Sequence, residues 1–342
     1  MKLSQKEIFK ALEVKSIEDI KKISSDFAFK NGFYIPRSPE YKTSSENLNV
    51  LFSKLPLSSV AKAYRKKHSY FDFFRPHLDG EHFLRLDVKA FFNSIKREQI
   101  EIFLISHLRG KNAYEVKVLA KAISFFLTVE VDKQRVLPIG FPASPAIANL
   151  VFRPLDIAIE KLCHEKKIIY SRYSDDFLFS SASNSIIHSN WFESQISYII
   201  SKLDMRLNNG KRITTSGAIS LNGYVISGEE NNKKLSFSNL RLKTLKKLIH
   251  FKKIRKLSDK MIAKKLFQDN LKNLNLKYSD EKSFIDKFCR DQVINKLRGY
   301  RSYLISLLNY DNLYSCVDSA HRRHICILIE DLNSIILSYD RG

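Results

Sequence analysis

Tyr173-Ser174-Asp175-Asp176 lies between two apolar runs, Ile168-Ile169-Tyr170 before it and Phe177-Leu178-Phe179 after it. The apolar runs predict two strands joined by a turn that carries Asp175 and Asp176. Adjacent carboxylates repel each other and Asp is disfavoured in strands, so the pair is a poor fold element by itself. A divalent cation would neutralise it, because Mg²⁺ binds through one or two carboxylates together with substrate phosphates. An exposed hairpin turn is the alternative, since Asp-Asp is common in turns.

A third carboxylate follows another predicted strand. The run Phe83-Leu84-Arg85-Leu86 is a strand candidate that ends at Asp87. Strand ends are where sheets flanked by helices place their ligands. If this strand faces the hairpin, we expect Asp87 to lie opposite Asp175.

A loop of small residues precedes a predicted helix. Gly140-Phe141-Pro142-Ala143-Ser144-Pro145 leads into the helix that starts at Ala146. Gly140 gives the backbone freedom and allows close approach. Pro145 suits the first helical position, with Ser144 as the cap. Such a loop can lie beside a nucleotide base pair, and an ordinary loop-to-helix junction is the alternative.

The composition indicates a globular protein with a polyanionic partner. The 342 residues are long enough for two or three subdomains, and 44% are hydrophobic. The 58 Lys and Arg against 36 Asp and Glu give a net charge of +22, which favours nucleic acid, with a membrane surface as the alternative. No apolar run of membrane-spanning length and no signal-peptide pattern is present, so we expect no membrane partner. The four scattered cysteines indicate a reducing cytoplasm.

Two basic regions are candidates for contact with nucleic acid. Arg65-Lys66-Lys67 is followed by rings that include Phe73 and Phe74. Cations interleaved with rings can hold a single strand, and an aromatic core beside a solvated edge is the alternative. Residues 233–272 carry fourteen Lys or Arg against two Asp, with apolar residues at helical spacing. In this second region we expect the contacts to come from Lys246, Lys247, Lys252 and Lys253.

The remaining patterns predict the other elements. They are two helices in residues 1–30, the second running through Phe27 to Asn31-Gly32; a loop over 33–50; a helix from Leu55 through Tyr64; a helix over 97–127; and a strand pair around Asn222-Gly223.

Taken in order, these stretches resemble the motifs of bacterial reverse transcriptases, closest to the retron and phage-defence branch. The resemblance covers about residues 50–310, and the family order and spacing make it specific. The matching segments are Leu86-Asp87-Val88-Lys89-Ala90-Phe91-Phe92-Asn93-Ser94-Ile95 for the first palm motif, residues 140–150 for the second, Tyr173-Ser174-Asp175-Asp176 for the third, Lys211 in a polar turn for the fourth, and Leu221-Asn222-Gly223-Tyr224 for the primer-grip hairpin.

The resemblance implies an α+β right-hand polymerase. Its expected parts are an N-terminal helical segment and loop in residues 1–50, fingers and palm in 51–232, and a basic helical thumb in 233–342. The implied activity is RNA-directed DNA synthesis from dNTPs, with a dedicated non-coding RNA as template or primer and a DNA product. An effector protein or a second copy is a further expected partner, and antiviral defence is the expected role.

The resemblance also implies a role for each motif residue. Asp87 and Asp175 would hold two Mg²⁺ ions, with Mn²⁺ as the alternative metal, and Asp176 would support them. Lys211 would protonate or neutralise pyrophosphate, and Phe92 stands at the steric-gate position that selects deoxynucleotides. Further substrate or primer contacts fall to Gly140, Ser144, Pro145, Tyr173, Asn222 and Gly223.

Departures from the family pattern favour a divergent enzyme. Of the Asn-Ala-x-x-His pattern that retron enzymes carry before the first palm motif, only His77 remains. No fingers strand is apparent in residues 33–50. Phe73 and Phe74 stand in that retron pattern instead and could stack on bases of a fixed RNA. We therefore expect poor copying of generic primed RNA and a short, defined or repetitive product on a dedicated RNA or with a partner protein. The alternatives are template-independent or atypically templated nucleotide addition, and a catalytically idle RNA-binding scaffold.

Overall fold

The computed structural model describes residues 2–23, 27–230, 232–267 and 281–340. The chain divides into two compact units, Met1–Ser216 and Gly217–Gly342. Each unit combines helices with antiparallel sheet, so the predicted α+β class is confirmed. The predicted boundaries at 50 and 232 stay predictions. Within the described ranges, no helix is both long and apolar enough to cross a membrane.

Helices flank the sheets in both units. Those of the first unit are α1 Gln5–Leu12, α2 Ile17–Lys22, α3 Pro39–Phe52, α4 Phe71–Phe74, α5 Arg97–His107, α6 Ala113–Phe126, α7 Ser144–Glu165 and α8 Asn190–Ser201. Those of the second unit are α9 Asn239–Lys253, α10 Asp259–Leu266, α11 Glu281–Tyr314 and α12 Ser319–Asp340.

The strands form several small sheets. They are β1 Leu3–Ser4, β2 Phe27–Lys30, β3 Phe33–Pro36, β4 His82–Asp87, β5 Leu108–Arg109, β6 Val129–Val131, β7 Gln134–Val136, β8 Ile169–Tyr173, β9 Asp176–Ser181 and β10 Ile213–Ser216 in the first unit, then β11 Ile219–Leu221, β12 Tyr224–Glu229 and β13 Asn232–Phe237 in the second.

A four-stranded antiparallel sheet with the order β10-β4-β9-β8 is the centre of the first unit. Both of its faces are covered, which explains the continuous apolar run of β9. Phe177 and Phe179 pack against Phe152 of α7 and Phe192 of α8. Leu178 points to the other face and is also completely buried. The predicted strand–turn–strand around Asp175 is therefore confirmed.

The sequence prediction for the first fifty residues is partly wrong. The second helix ends at Lys22, and Asn31 and Gly32, at φ of 54° and 83°, form the turn of a β2–β3 hairpin. Asn-Gly is a hairpin signal as much as a helix terminator, and here the flanking residues pair. The expected loop over 33–50 contains β3 and α3. Ser38 caps α3 and Pro39 starts it, so residues typical of loops mark a helix N-terminus instead.

Two further predicted helices differ from the structure. Residues 55–64 do not form a helix; instead Ala61 bridges Arg172 in parallel, and Arg172 donates its backbone N–H to Val60. The expected helix over 97–127 is divided into α5 and α6 by β5, which pairs with β1. Helix α7 already includes Ser144 as its first residue, so Ser144 is not its cap.

The second unit begins with a three-stranded antiparallel sheet. Asn222 and Gly223, at φ of 49° and 85°, form the predicted turn between β11 and β12. Four helices follow among the described residues, as the basic helical region predicts. Residues 268–280 of that region lie outside the described residues.

Candidate active site

Strand pairing brings three carboxylates to one end of the central sheet. Asp87 lies directly opposite Asp176 in the β4–β9 register. The Val88 N–H donates to the carbonyl of Asp175 at 3.0 Å, which fixes the hairpin turn beside the end of β4. Side chains two residues apart on a strand share a face, so Arg85 lies on the same face as Asp87.

Asp87 is 2% exposed and is surrounded by donors. Asn208 Nδ2 donates to its Oδ1 at 3.0 Å. Lys211 Nζ lies 3.0 Å and Arg85 Nη2 lies 3.4 Å from its Oδ2. A buried carboxylate needs such partners, because an unpaired charge in the interior is costly.

Arg85 joins Asp87 to Asp176. Its Nε donates to Asp176 Oδ1 at 2.9 Å, and its Nη2 contacts the same oxygen. Its Nη1 donates to the Lys211 carbonyl at 2.8 Å. The guanidinium thus neutralises Asp176 and fixes the backbone of the segment that carries Lys211.

Asp175 differs from its two neighbours. Among the described residues, its carboxylate has no cation in contact. Burial raises the pKa of Asp175, and the charges of Asp176 and Asp87 raise it further. Its own backbone and Lys211 lower that pKa. A cation placed at this carboxylate would therefore relieve both desolvation and repulsion.

A buried ion pair supports the hairpin. Arg172 and Asp156 are both completely buried, with Nε–Oδ1 at 2.8 Å and Nη2–Oδ2 at 2.7 Å. The Tyr170 hydroxyl donates to the same carboxylate at 3.0 Å. Arg172 Nη1 donates to the Ser174 carbonyl at 3.0 Å, so the pair holds the turn that presents Asp175.

His77 links α4 to the sheet. Its Nδ1 lies 2.7 Å from Ser180 Oγ, and its Nε2 lies 2.8 Å from Ser171 Oγ. Ser171 donates its own proton to the Phe73 carbonyl, so it accepts from Nε2–H, and Nδ1 accepts from Ser180. Burial, with a smaller effect of the Lys62 charge, lowers the pKa of His77 to about 3 and keeps the ring neutral.

The proposed base-stacking role of Phe73 and Phe74 is contradicted. Both rings are completely buried, because α4 packs them against the sheet. Tyr173 packs on this cluster, 4.7 Å from Tyr70 and 6.0 Å from Phe73 between ring centroids. The alternative of an aromatic core is the correct one.

In the basic cluster Arg65-Lys66-Lys67, the arginine is hydrogen-bonded to the backbone and the two lysines are exposed. Arg65 donates to the carbonyls of Ser58 and Ala61 at 2.8 and 3.0 Å, so its guanidinium stabilises the local chain. Lys66 and Lys67 are exposed and stay candidates for phosphate contact.

The predicted nucleotide-contact residues lie in the first unit. Phe92 is half-buried and packs edge-on against Tyr64 and Phe91. Gly140 has φ of 109°, and a Cβ there would lie 2.4 Å from the Tyr34 carbonyl oxygen, so β3 and this loop require glycine. Ser144 is buried and its hydroxyl has no hydrogen-bond partner among the described residues, whereas Pro145 is half-buried.

Of the four lysines predicted to contact nucleic acid in the second unit, two are exposed in a groove and two form ion pairs. Lys246 and Lys247 are exposed and line one groove of α9 with Lys243 and His250. Lys252 pairs with Asp259 at 3.0 Å, and Lys253 pairs with Asp331 at 2.6 Å.

The Asn222-Gly223 turn, which the sequence predicts as a primer grip, is closely packed within the second unit. Gly223 lies against Arg241, since a Cβ there would be 1.9 Å from the Arg241 Nε. Any residue other than glycine at position 223 would therefore displace the turn or the Arg241 side chain.

Sequence reasoning missed Arg85, Asn208 and the Arg172–Asp156 pair. Period-two alternation from Asp87 could have placed Arg85 on the face of the carboxylates. Nothing in the sequence indicates that Asn208 contacts Asp87 or that Asp156 of α7 pairs with Arg172, because these contacts depend on how helix and sheet pack.

The oxygen atoms that the site offers are of the type that a hard divalent cation binds. Asp87 and Asp175 offer carboxylate oxygens, the ligands that Mg²⁺ prefers. Within the described ranges, however, no group of three His, Cys, Asp or Glu side chains is arranged as a metal site. The cations Arg85 and Lys211 take the places beside Asp87 and Asp176.

Comparisons with known proteins agree on one family. A family model described as reverse transcriptase (RNA-dependent DNA polymerase) matches residues 45–237. The chain is 32% identical over 142 residues to the retron Ec73 reverse transcriptase of Escherichia coli, covering 39% of this chain and 44% of that protein. It is 26% identical over 262 residues to the retron Ec83 reverse transcriptase of Escherichia coli, covering 75% and 80%.

A solved structure of telomerase from Candida albicans with a fragment of telomeric RNA is also similar. The identity is 12%, the TM-score is 0.44, and the match covers 84% of this chain and 55% of that one.

Proposed function

Because the chain belongs to the reverse transcriptase family, we propose that it is a divergent, retron-like RNA-directed DNA polymerase. The β4–β9 register supports this most, since it brings Asp87, Asp175 and Asp176 together beside Lys211. In the proposed reaction, a primer 3′-oxygen bonds to the α-phosphorus of a dNTP. The bond between the α-phosphorus and the bridging oxygen breaks, and pyrophosphate leaves.

Asp87 and Asp175 are the proposed ligands of two Mg²⁺ ions, which when bound lower the pKa of the 3′-hydroxyl and stabilise charge on the triphosphate. Lys211 is 54% exposed at its side chain, so its ammonium can leave Asp87 and hydrogen-bond to the departing pyrophosphate. Phe92 is proposed to exclude a ribose 2′-hydroxyl. The Arg172–Asp156 pair keeps the Asp175 turn in place during these events.

The proposed partners are an RNA template and a DNA product. A dedicated non-coding RNA would serve as template or primer, and we propose a role in antiviral defence from the resemblance to the retron branch. The net charge of +22 supports a nucleic-acid partner.

Sequencing of the nucleic acid that copurifies with the protein tests this proposal. We expect one RNA species together with DNA complementary to part of it, and RNA alone with Asp175→Asn. DNA without a complement in the RNA would favour template-independent synthesis. RNA without DNA from both proteins would favour a catalytically idle scaffold.

A further inference from the structure

The two aspartates of the Tyr173–Asp176 hairpin have different surroundings. Asp176 receives Nε and Nη2 of Arg85 on one carboxylate oxygen. Asp175 has no cation in contact among the described residues. The adjacent carboxylates are therefore not equivalent as sites for a bound ion.

The Arg85 contact is fixed by the sheet. Arg85 lies opposite Leu178, and Asp87 lies opposite Asp176, so the guanidinium reaches diagonally across the two strands to Asp176. The side chains of Arg85 and Asp176 are 13% and 15% exposed. Two nitrogens of the planar guanidinium contact the same carboxylate oxygen, so the pair is a strong one.

Lys211 provides the contrast. It also contacts a carboxylate of the site, but its side chain is 54% exposed and ends a flexible chain of four carbons. Lys211 can leave Asp87 for water or a phosphate when another cation takes its place at that carboxylate. Arg85 would have to leave Asp176, Asp87 and the Lys211 carbonyl together.

We propose that Asp176 is not a metal ligand in this protein but the permanent counter-ion of Arg85, so that Asp87 and Asp175 alone supply the carboxylates for divalent cations. This inference rests on the proposed polymerase function. It departs from the role that the family resemblance gives Asp176.

The pairing is tested first without metal, by urea unfolding of Asp176→Asn, Arg85→Met and the double variant. Asp176→Asn removes the charge of the carboxylate that Arg85 contacts through Nε and Nη2 and leaves only the longer contact to Asp87 as an ion pair, so we expect a lower unfolding midpoint than wild type. Arg85→Met/Asp176→Asn removes both charges at similar length and should unfold at a higher midpoint than Asp176→Asn. Additive losses in the double variant would overturn the pairing.

The ligand assignment is tested by Mn²⁺ titration of the nucleotide-free protein, followed by electron paramagnetic resonance. Asp176→Asn alone is not decisive, because it adds a net positive charge as well as removing a carboxylate. The charge-matched double variant should keep a Mn²⁺ Kd within about threefold of wild type, the scatter expected of independent sites. Asp175→Asn, the control carboxylate, should weaken binding at least about tenfold.

Arg85→Met alone should change the affinity for Mn²⁺, which a purely structural role of Arg85 would leave unchanged. It frees Asp176 and removes a positive charge, so we expect Mn²⁺ to bind about tenfold more tightly. A double variant that loses Mn²⁺ as strongly as Asp175→Asn would overturn the inference. Unchanged binding in both Asp87→Asn and Asp175→Asn would instead reject the proposed metal site, while the unfolding comparison would still decide the Arg85–Asp176 pairing.

Discussion

Two ion pairs lie at or beside the Tyr173–Asp176 hairpin and differ in exposure. Arg172 and Asp156 are completely buried, and every polar contact between them is short. The Asp87–Lys211 pair combines a buried carboxylate with an ammonium that is half exposed. Water therefore has no access to either side chain of the first pair, whereas it reaches the ammonium of the second.

The difference in exposure separates residues that support the hairpin from residues that we propose to meet substrate. Arg172 holds the Ser174 carbonyl and so fixes where Asp175 lies. Lys211 can be replaced at Asp87 by another cation, because only its tip makes the contact. We therefore expect substitutions in the first pair to affect stability and those in the second group to affect synthesis.

The largest expected effect is the loss of dNTP incorporation when a carboxylate of the proposed metal site is replaced. Asp87→Asn or Asp175→Asn should lower dNTP incorporation by at least about 10³-fold, since each removes a proposed metal ligand and its charge. Thermal unfolding should change little by comparison, and Lys211→Met should fall between these variants and wild type. Full activity in either Asn variant would reject the assignment.

The second prediction concerns the buried pair. Asp156→Ala leaves the Arg172 charge unpaired and should cost about 3–5 kcal/mol of unfolding free energy in urea titrations. The exposed pair of Lys42 and Glu46 supplies the control, and Glu46→Ala should cost less than about 0.5 kcal/mol. Equal small losses in both variants would show that the Arg172–Asp156 pair does not support the hairpin.

Two neighbouring phenylalanines also differ in exposure. Phe91 is 3% exposed and belongs to the core, whereas Phe92 is half-buried. Phe92→Ala should raise the kcat/KM of ribonucleotides relative to deoxyribonucleotides by about tenfold, because it removes the proposed clash with the 2′-hydroxyl. Phe92→Leu, which keeps most of the bulk, is the control. An unchanged ratio would make Phe92 a core residue like Phe91.

The smallest expected effect is on nucleic-acid binding, and it should differ between two pairs of lysines in α9. Lys246→Glu/Lys247→Glu should weaken nucleic-acid binding and lower the slope of log K against log salt by about one for each lost phosphate contact. Lys252→Glu/Lys253→Glu should change that slope less, since both lysines pair within the unit. The reverse order would place the nucleic-acid face on the other side of the helix.

The sequence was sufficient to predict the carboxylates and the strands that carry them. Asp87 ends one apolar run and Asp175 joins two others that the sequence predicts as strands, and the pairing of these strands brings the carboxylates together. Their cationic neighbours were not predictable from motifs, because Arg85 and Asn208 meet Asp87 through tertiary packing.

The N-terminal region shows where sequence patterns were ambiguous. Asn31-Gly32 suits both a helix end and a hairpin turn, and the pairing of Phe27–Lys30 with Phe33–Pro36 decided for the hairpin. The expectation of poor generic copying rested on a missing fingers strand and on base stacking by Phe73 and Phe74. The β2–β3 hairpin and the burial of both rings remove those two reasons.

DNA synthesis on a defined RNA template, with an annealed primer and all four dNTPs, shows directly whether this protein is an RNA-directed DNA polymerase. We expect a product that is complementary to the RNA and absent with Asp175→Asn. A product unrelated to the template, or equal synthesis by Asp175→Asn, would contradict it.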